Sequence, residues 1–367
     1  MLYGRKCLLI VALLLTTAAA AEASVFATGS AVSATAPDSI TNGAGSIWVE
    51  YGNGADSTGA SGSSTIVQYG PGGKVQNSYT IAGLVDGLKF DPVTKMIWAL
   101  QNNDGNSTLS IINPLTNTVS AALSYSVLSS SRGYDDVAFL NGKVYLSYSN
   151  PVNPTDPVLQ SLNNGNNPTG PLTTTNVLSA SDTGQASSTN GNEPDIDSLK
   201  STPSGKLVLT TEGDGPGSGN PVGEFTLISN PGKLTQHVTN VPVTTSTGSN
   251  VQGIDDVIFP GAKSGWLYVS ETGAANQVDK VFLSGLDPNT AIIAIGGLSE
   301  VAFVNPTTGV IESAITGLTG LSSPHGMDFV PATTATPEPS TWAILLAGLF
   351  GVGAMARSAR RGARKMA

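Results

Sequence analysis

Short apolar runs alternate with polar turn residues along most of the chain. Between residues 24 and 335 these runs are rich in valine and isoleucine, and glycine, asparagine or proline bounds them. This pattern is typical of β-strands joined by turns. The same range contains no convincing amphipathic helix, because its apolar residues do not recur with helical spacing. The pattern therefore predicts an all-β protein.

One hairpin pattern recurs along the chain: an aspartate, an apolar strand, a turn with glycine or lysine, and a second strand that often carries an aromatic residue. The copies are PDSITNGAGSIWVEYG from Pro37, VDGLKFDPVTKMIWALQ from Val85, YDDVAFLNGKVYLSY from Tyr134, PDIDSLKSTPSGKLVLTTE from Pro194 and IDDVIFPGAKSGWLYVSE from Ile254. A second hairpin follows in STLSIINPLTNTVSAAL from Ser107 and in VAFVNPTTGVIESAI from Val301. Four strands per radial repeat predict a β-propeller blade. A β-sandwich with long loops is the alternative, which the repeat spacing disfavours.

The number of blades depends on how the ring closes. The repeated aspartates Asp38, Asp86, Asp136, Asp197, Asp256 and Asp328 are separated by 48, 50, 61, 59 and 72 residues. We assign the excess length to polar insertions at 150–192 and from Glu212, and to an extra hairpin at 278–295. The last repeat, SPHGMDFVP from Ser323, supplies an inner strand with no blade after it. It either completes the first blade, which gives five blades, or joins strands from 24–36 in a partial sixth.

The repeats resemble those of NHL and streptogramin-lyase-like propellers and of the gluconolactonase group. The phrases SSPHGMDFVP and NPTTGVIESAITGL carry this resemblance. They mark strand and turn positions, so the resemblance implies the fold and no particular chemistry. The histidine and glutamate set that holds magnesium in streptogramin lyases has no counterpart that we can place on this chain.

Candidate chemistry is limited to acidic residues and two histidines. His237 lies in a turn-rich stretch and is expected to be solvated, whereas His325 precedes the last inner strand and is expected near the central channel. Resemblance to gluconolactonases implies a calcium site made by carboxylates at the starts of inner strands. The candidate ligands are Asp135, Asp136, Glu193, Asp195, Asp255 and Asp256. Oxygen ligands of this kind suit calcium, but aspartates at strand entrances also accept backbone N–H bonds and fix turns.

The N-terminus has the order of a secretory signal peptide. Arg5 and Lys6 precede the apolar run 8–15, and small residues end in Ala21-Glu22-Ala23, which predicts cleavage after Ala23. Cys7, the single cysteine, lies inside this segment. The mature chain would therefore have neither disulfides nor thiol chemistry.

The C-terminus resembles the PEP-CTERM sorting signal of Gram-negative bacteria. The triplet Pro337, Glu338 and Pro339 precedes the uncharged segment 342–356, which opens with Trp342, and a basic end that includes Arg357, Arg360 and Arg361. The resemblance implies processing by an exosortase, a membrane-embedded cysteine protease, in bacteria that also make exopolysaccharide. The alternative is an ordinary tail anchor, although a span needs about 20 apolar residues. The basic end predicts an outward-facing domain.

The chain thus divides into a signal peptide (1–23), a β-propeller of five or six blades (24–330), a Pro/Thr-rich linker with the triplet (331–341), a membrane helix (342–356) and a basic cytoplasmic tail (357–367). Residues 24–336 contain 10 basic and 24 acidic residues, a net charge of −14. This charge disfavours nucleic acid and anionic membranes as partners of the propeller.

These features predict a protein exported to the cell envelope, cell surface or extracellular matrix. Its expected partners are the export machinery, an exosortase, the membrane through the C-terminal segment before processing, and polysaccharide or another envelope protein. We expect a non-catalytic binding or scaffold module related to exopolysaccharide or biofilm. A calcium-dependent propeller hydrolase or lyase, of the lactonase kind, is the alternative.

Overall fold

A computed structural model describes residues 19–20, 22–126, 128, 132–149, 151, 153–183, 196–212 and 222–332. Contacts divide the chain into one compact unit at 1–331 and a second at 332–367. Most of the predicted signal peptide lies outside the described residues, as do the Pro-Glu-Pro triplet, Trp342 and the arginines after it.

The described chain contains 26 strands and three short 3-10 helices. The strands up to the third blade are β1 (Ala19–Ala20), β2 (Ser24–Thr28), β3 (Pro37–Gly43), β4 (Ser46–Tyr51), β5 (Ser63–Tyr69), β6 (Val75–Ala82), β7 (Val85–Phe90), β8 (Ile97–Gln101), β9 (Thr108–Asn113), β10 (Thr118–Val119), β11 (Leu123–Ser124), β12 (Tyr134–Leu140), β13 (Lys143–Tyr148), β14 (Pro157–Leu162) and β15 (Thr174–Ser179). The rest are β16 (Ile196–Ser201), β17 (Leu207–Thr211), β18 (Glu224–Ser229), β19 (His237–Pro242), β20 (Ile254–Ile258), β21 (Ser264–Glu271), β22 (Gln277–Ser284), β23 (Ala291–Ile295), β24 (Glu300–Val304), β25 (Ile311–Thr319) and β26 (Pro324–Pro331). The 3-10 helices are Gly29–Val32, Ala180–Asp182 and Gly296–Leu298.

Six antiparallel sheets form a six-bladed β-propeller. Blades one to four follow the chain: β3 to β6, β7 to β9 with β10 and β11 at the edge, β12 to β15, and β16 to β19. The stretch 150–192, expected to be an insertion, instead contains β14 and β15, the two outer strands of blade three. Its asparagine and proline content marks the turns around these strands, which carry their own apolar positions.

Blades five and six exchange strands. Blade five is β20, β23, β24 and β25, whereas blade six is β26, β21 and β22 with β2 and the two-residue β1 along its outer edge. The predicted hairpin of the copy from Ile254 is therefore wrong, because β20 pairs with β23 and β21 pairs with β26. The predicted extra hairpin at 278–295 is also wrong, because β22 and β23 belong to different blades. The residues that connect two strands look alike in sequence whether the strands form one hairpin or belong to two different blades.

Six blades, rather than five, are present because the first and last parts of the chain share one sheet. Strand β26 is the inner strand of blade six, and β2 pairs with β22 at its outer edge. Phe26 packs across the junction between blades six and one: its ring centroid lies 4.9 Å from that of Tyr268 in the same blade and 5.7 Å from that of Tyr69 in blade one. The alternative of a sixth blade containing residues from 24–36 is thus confirmed.

The hydrophobic core lies in the layers between neighbouring blades. Between blades one and two, Trp48 and Ile66 pack with Leu88 and Ile97, and all four are fully or almost fully buried. Burying a side chain of this size contributes about 1.5–3 kcal/mol. These layers fix the inner strands around the axis and thereby position the residues at their starts.

Candidate functional site

A β-bulge occurs at the same place in all six inner strands. In blade one, Pro37 pairs with Tyr51 and Ile40 pairs with Val49, so two residues, Asp38 and Ser39, oppose one on the partner strand. The inner strands of the other blades shift register at the corresponding position. A bulge re-aims side chains and is frequent beside functional sites. Here it defines six equivalent positions around the axis.

We call these six residues the axial ring. They are Asp38, Asp86, Asp135, Asp197, Asp255 and His325, one from each blade. The repeat in sequence is therefore better aligned on Asp135 and Asp255 than on Asp136 and Asp256, which come one residue later. Asp328, the aspartate of the last repeat, lies three residues after its ring position, and a histidine replaces the ring carboxylate.

All six ring residues line one cavity of about 280 Å³, which we call the acidic cavity. Asn103, Asp104 and Glu212, from segments after the second strands, line it as well. Three of the ring carboxyls have raised pKa values. Burial is the main cause for Asp86 and Asp197, and neighbouring carboxylates add to it. Burial likewise raises the pKa of Asp255 to about 6, although His325 opposes the shift.

His325 is held between two carboxylates of the ring. Its Nδ1 lies 2.6 Å from Oδ2 of Asp255 and 3.5 Å from Oδ1 of Asp38, while its Nε2 lies 2.9 Å from Oγ of Ser323. Burial alone would lower its pKa, but the carboxylates of Asp255 and Asp38 outweigh burial and raise it to about 12. His325 is therefore an imidazolium at neutral pH and, in this geometry, a proton donor.

Two sets of side chains have the spacing of a metal site. Asp38, Asp255 and His325 form one, and Asp197, Glu212 and Asp255 form the other; within each set the ligand atoms lie within 4.8 Å of one another. Among the described residues, Oδ2 of Asp197 and Oδ1 of Asn103 are buried and accept no hydrogen bond. Both atoms are hard oxygen donors in the acidic cavity.

A further buried carboxylate lies behind the ring. Glu50 on β4 is fully buried, and its contact with the Ser64 hydroxyl offsets only part of the cost of burying the carboxyl. Burial, followed by the charges of Asp38 and Asp86, raises the pKa of this carboxyl well above its usual range. In blades three, four and six the residue at the same place is Ser147, Thr210 or Ser270, whose hydroxyl bonds the backbone near the bulge.

The two aspartates of each Asp-Asp pair have different roles. Asp135 and Asp255 belong to the axial ring. Asp136 instead accepts backbone N–H bonds from Val137 at 2.8 Å and from Leu199 of blade four at 3.0 Å. This is the structural role that the sequence left open for aspartates at strand entrances.

Asp256 makes the same kind of contacts between blades five and six. It accepts N–H bonds from Val257 and from Met327 of blade six, both at 2.7 Å. Asp136 and Asp256 therefore connect blade three to four and blade five to six.

The remaining predicted residues lie elsewhere. Glu193 and Asp195 lie outside the described residues. His237 is exposed on β19, the outer strand of blade four, as expected. Sequence reasoning did not select Asp38, Asp86 or Asp197 as ligands, although each begins an inner strand. Alignment of the repeats on the apolar residue two positions later, such as Ile40, Leu88 or Leu199, would have grouped them with Asp135.

The fold and the ring define a six-bladed β-propeller with an acidic cavity on its axis. No protein-family model matches the chain, and the curated proteins include no match. Solved structures do match at low identity. A protein of unknown function from Bacteroides caccae is 9% identical over 80% of this chain and 86% of its own, with a TM-score of 0.47.

Enzymes are among the matched structures. Hydrazine synthase from Kuenenia stuttgartiensis is 10% identical, with a TM-score of 0.42, over 73% of this chain and 64% of that one, so the chain spans less than two thirds of the hydrazine synthase chain. Glutaminyl cyclase from Myxococcus xanthus is 12% identical over 82% and 76%, with a TM-score of 0.33. These values concern the fold alone and carry no argument about activity.

Within the described residues, no helix has the length and apolar character needed to cross a membrane. The predicted membrane helix, 342–356, lies outside those residues.

Proposed function

We propose that this protein is an exported, surface-sorted β-propeller that acts as a non-catalytic binding module and takes up a divalent cation, calcium, in its acidic cavity. The convergence of five ring carboxylates on one cavity, with the buried and unpartnered Oδ2 of Asp197 among them, carries the cation proposal. A divalent cation neutralises carboxylates that otherwise repel one another.

The donor set favours calcium over a transition metal. Oxygen atoms dominate the acidic cavity, and calcium takes six to eight oxygen ligands. The one imidazole there, His325, is already paired through Nδ1 with Asp255. The cluster of Asp197, Glu212 and Asp255 supplies the ligands that we assign to the cation.

Thermal unfolding of the purified protein with and without calcium tests this proposal. We expect calcium to raise the midpoint by several degrees and Asp197→Asn to abolish that rise, because binding to the folded state alone stabilises it. Asp287→Asn is the matched control, since Asp287 is exposed on a turn of blade five and its Oδ1 is the acceptor there. An equal calcium response in all three proteins would refute the cation site.

Export and sorting are supported by the two ends of the sequence. The predicted cut after Ala23 would leave Ser24 as the first residue, which is also the first residue of β2. Processing at this position would keep β2 and remove β1, the two-residue strand Ala19–Ala20 that also pairs with β22. The Pro-Glu-Pro triplet supports recognition by an exosortase, and polysaccharide or another envelope protein is the proposed partner outside the cell.

Mass spectrometry of the mature termini tests the sorting proposal. In a host with its exosortase we expect an N-terminus at Ser24 and a C-terminus near Glu338. In a host without the exosortase, the arginine-rich tail should remain. Retention of the tail in both hosts would contradict exosortase processing and leave the cation proposal untouched.

A calcium-dependent lactonase is the second candidate, and His325 is the observation that favours it. His325 lies beside the proposed cation ligand Asp255, and an imidazole in such a place can take part in proton transfer to a leaving group. Turnover of gluconolactone that is lost in His325→Gln, while the calcium response persists, would establish this activity. Without such turnover, the non-catalytic binding function stands.

A further inference from the structure

A second cavity lies farther along the inner strands, away from the axial ring. It has a volume of about 240 Å³, and its walls carry four phenylalanines and two prolines. These are Phe90, Phe139, Phe259, Phe329, Pro92 and Pro260. We call it the phenylalanine cavity. The phenylalanines occupy the same place in their repeats, four residues after the ring position, which corresponds to about 13 Å of extended strand. Blades one and four have Asn42 and Ser201 at this place.

Charged groups form the polar part of this cavity. Lys89, Lys200 and Asp328 line it. Nζ of Lys200 lies 3.0 Å from Oδ2 of Asp256, whereas Nζ of Lys89 lies 3.7 Å from Oδ2 of Asp136, beyond hydrogen-bonding distance. The N–H donors of Lys89 therefore remain available to a ligand.

The acceptor in the cavity is Asp328. Its Oδ2 accepts hydrogen bonds from the backbone N–H of Asn42 and, at 2.8 Å, from Nδ2 of Asn42, and its Oδ1 accepts one from the backbone N–H of Phe329. An ionised carboxylate oxygen has about two acceptor sites, so Oδ1 can accept one more hydrogen bond, from a ligand. The cavity thus offers one ammonium donor and one fixed acceptor between aromatic walls.

We infer that the phenylalanine cavity binds a single neutral sugar ring. Aromatic faces carry negative charge density and pack against the C–H faces of a ring, while hydroxyl groups reach the donor and the acceptor. The charged side chains in and beside this cavity disfavour anions and purely apolar molecules as its ligands. Lys89 and Lys200 are outnumbered by Asp136, Asp256 and Asp328, a balance that disfavours an anion. A purely apolar ligand would offer no hydrogen-bond acceptor to the N–H donors of Lys89, whose ion pair with Asp136 is 3.7 Å long.

This inference is independent of the cation proposal, because the two cavities share none of the residues that line them. Ligand-observed NMR and calorimetry with glucose, galactose and mannose test it. We expect at least one of these hexoses to bind, with glucuronate and the open-chain sorbitol at least about fivefold weaker. Glucuronate adds a negative charge, and sorbitol has hydroxyls but no ring face.

Two substitutions that copy other blades locate the site. Phe259→Ser introduces the residue of blade four, and Lys89→Ala introduces that of blade three, where Ala138 holds the same place. Each should weaken hexose binding about fivefold to tenfold, equivalent to one lost contact. Trp266→Ala is the control, because Trp266 is 38% exposed on the middle strand β21 of blade six and offers a separate aromatic surface.

Three results would overturn the inference. They are no binding of any of the three hexoses, tighter binding of glucuronate than of every hexose, or hexose binding that Trp266→Ala abolishes and the two cavity variants leave unchanged. A retained β-sheet circular dichroism spectrum and a thermal unfolding midpoint close to that of the parent show that each variant is folded. If Phe259→Ser does not fold, Lys89→Ala decides the result alone.

Discussion

Oδ2 of Asp256 accepts a hydrogen bond of 2.7 Å from the backbone N–H of Met327, so a side chain of blade five holds the inner strand of blade six. The same oxygen lies 3.0 Å from Nζ of Lys200 in blade four. One carboxylate therefore connects three blades at the axis. Its neighbour in sequence, Asp255, contacts His325 instead.

Asp256→Asn should destabilise the protein by about 3 kcal/mol. The substitution removes the charge that pairs with Lys200 and places an amide near backbone N–H groups, and the loss of one partner from a buried ion pair is costly. Urea denaturation measures the change. Glu312→Gln, at an exposed position of β25, is the control and should change stability by less than about 0.5 kcal/mol. Equal stabilities of the two variants would contradict the bridging role.

Phe26→Ala should weaken ring closure by about 3–5 kcal/mol, because a large buried aromatic side chain is lost. Phe26 is 8% exposed, whereas its neighbour Val25 is 52% exposed on the same strand. Val25→Ala is therefore the matched control and should have little effect. Urea denaturation followed by circular dichroism measures the free energy of unfolding of each variant, and a larger loss in Phe26→Ala reports the packing of Phe26 against Tyr69 and Tyr268. A similar loss in both variants would point to strand propensity in place of packing.

Gly326→Ala should destabilise the junction between blades six and one by about 2 kcal/mol or more. A Cβ at Gly326 would lie 2.4 Å from the backbone oxygen of Asp38, a contact that requires the backbone to move. Gly72→Ala is the control, since a Cβ there meets nothing within 4 Å and the backbone is not left-handed. Thermal unfolding of both variants measures the difference, and a neutral Gly326→Ala would show that the bulge adapts.

Stability should fall as pH rises from about 4 to 7 because of Asp279. Burial, followed by its hydrogen bond with Glu271, raises the pKa of Asp279 to about 7. Between the unfolded and folded pKa values the folded state retains a proton that the unfolded state has released, so raising the pH favours unfolding. The effect is at most about 1.4 kcal/mol per pH unit, and it levels off above the folded pKa.

Asp279→Asn tests this dependence, because the amide keeps a donor toward Glu271 and cannot titrate. Urea denaturation between pH 4.5 and 8 should show the variant gaining stability relative to the parent as pH rises. Gln277 donates to both carboxyl groups and should hold the amide in place. Parallel curves for the two proteins would show that Asp279 does not retain its proton in the folded state.

Most of the fold could be predicted from the sequence, because each blade supplies its own strand pattern and turn residues. Local patterns correctly indicated the hairpin of β12 and β13 and that of β24 and β25. They did not indicate that β21 leaves β20 for the next blade. Pairing between strands distant in sequence depends on packing across the ring, and no local pattern contains that information.

The candidate site was predicted less well, because a bulge breaks the alternation of side chains along a strand. At the bulge, two consecutive residues oppose one residue of the partner strand. Sequence alone therefore does not show which of Asp135 and Asp136 points into the acidic cavity. The structure separates them by their partners: Asp136 accepts the N–H of Leu199, and Asp135 accepts an amide N–H of Asn103 at 3.0 Å. The sequence predicted that His325 lies near the central channel, but it did not indicate that Asp255 and Asp38 are its partners.

Blade six also determines the order in which the molecule can be completed. Its outer strand β2, its middle strands β21 and β22 and its inner strand β26 come from three separate parts of the chain. Until residues 324–331 are available, β21 has an unpaired edge and the ring remains open. Contacts between such distant segments slow folding. Completion of the propeller is therefore a late event: removing residues 324–331 would leave the ring open, and removing residues 24–28 would leave blade six without β2 at its outer edge.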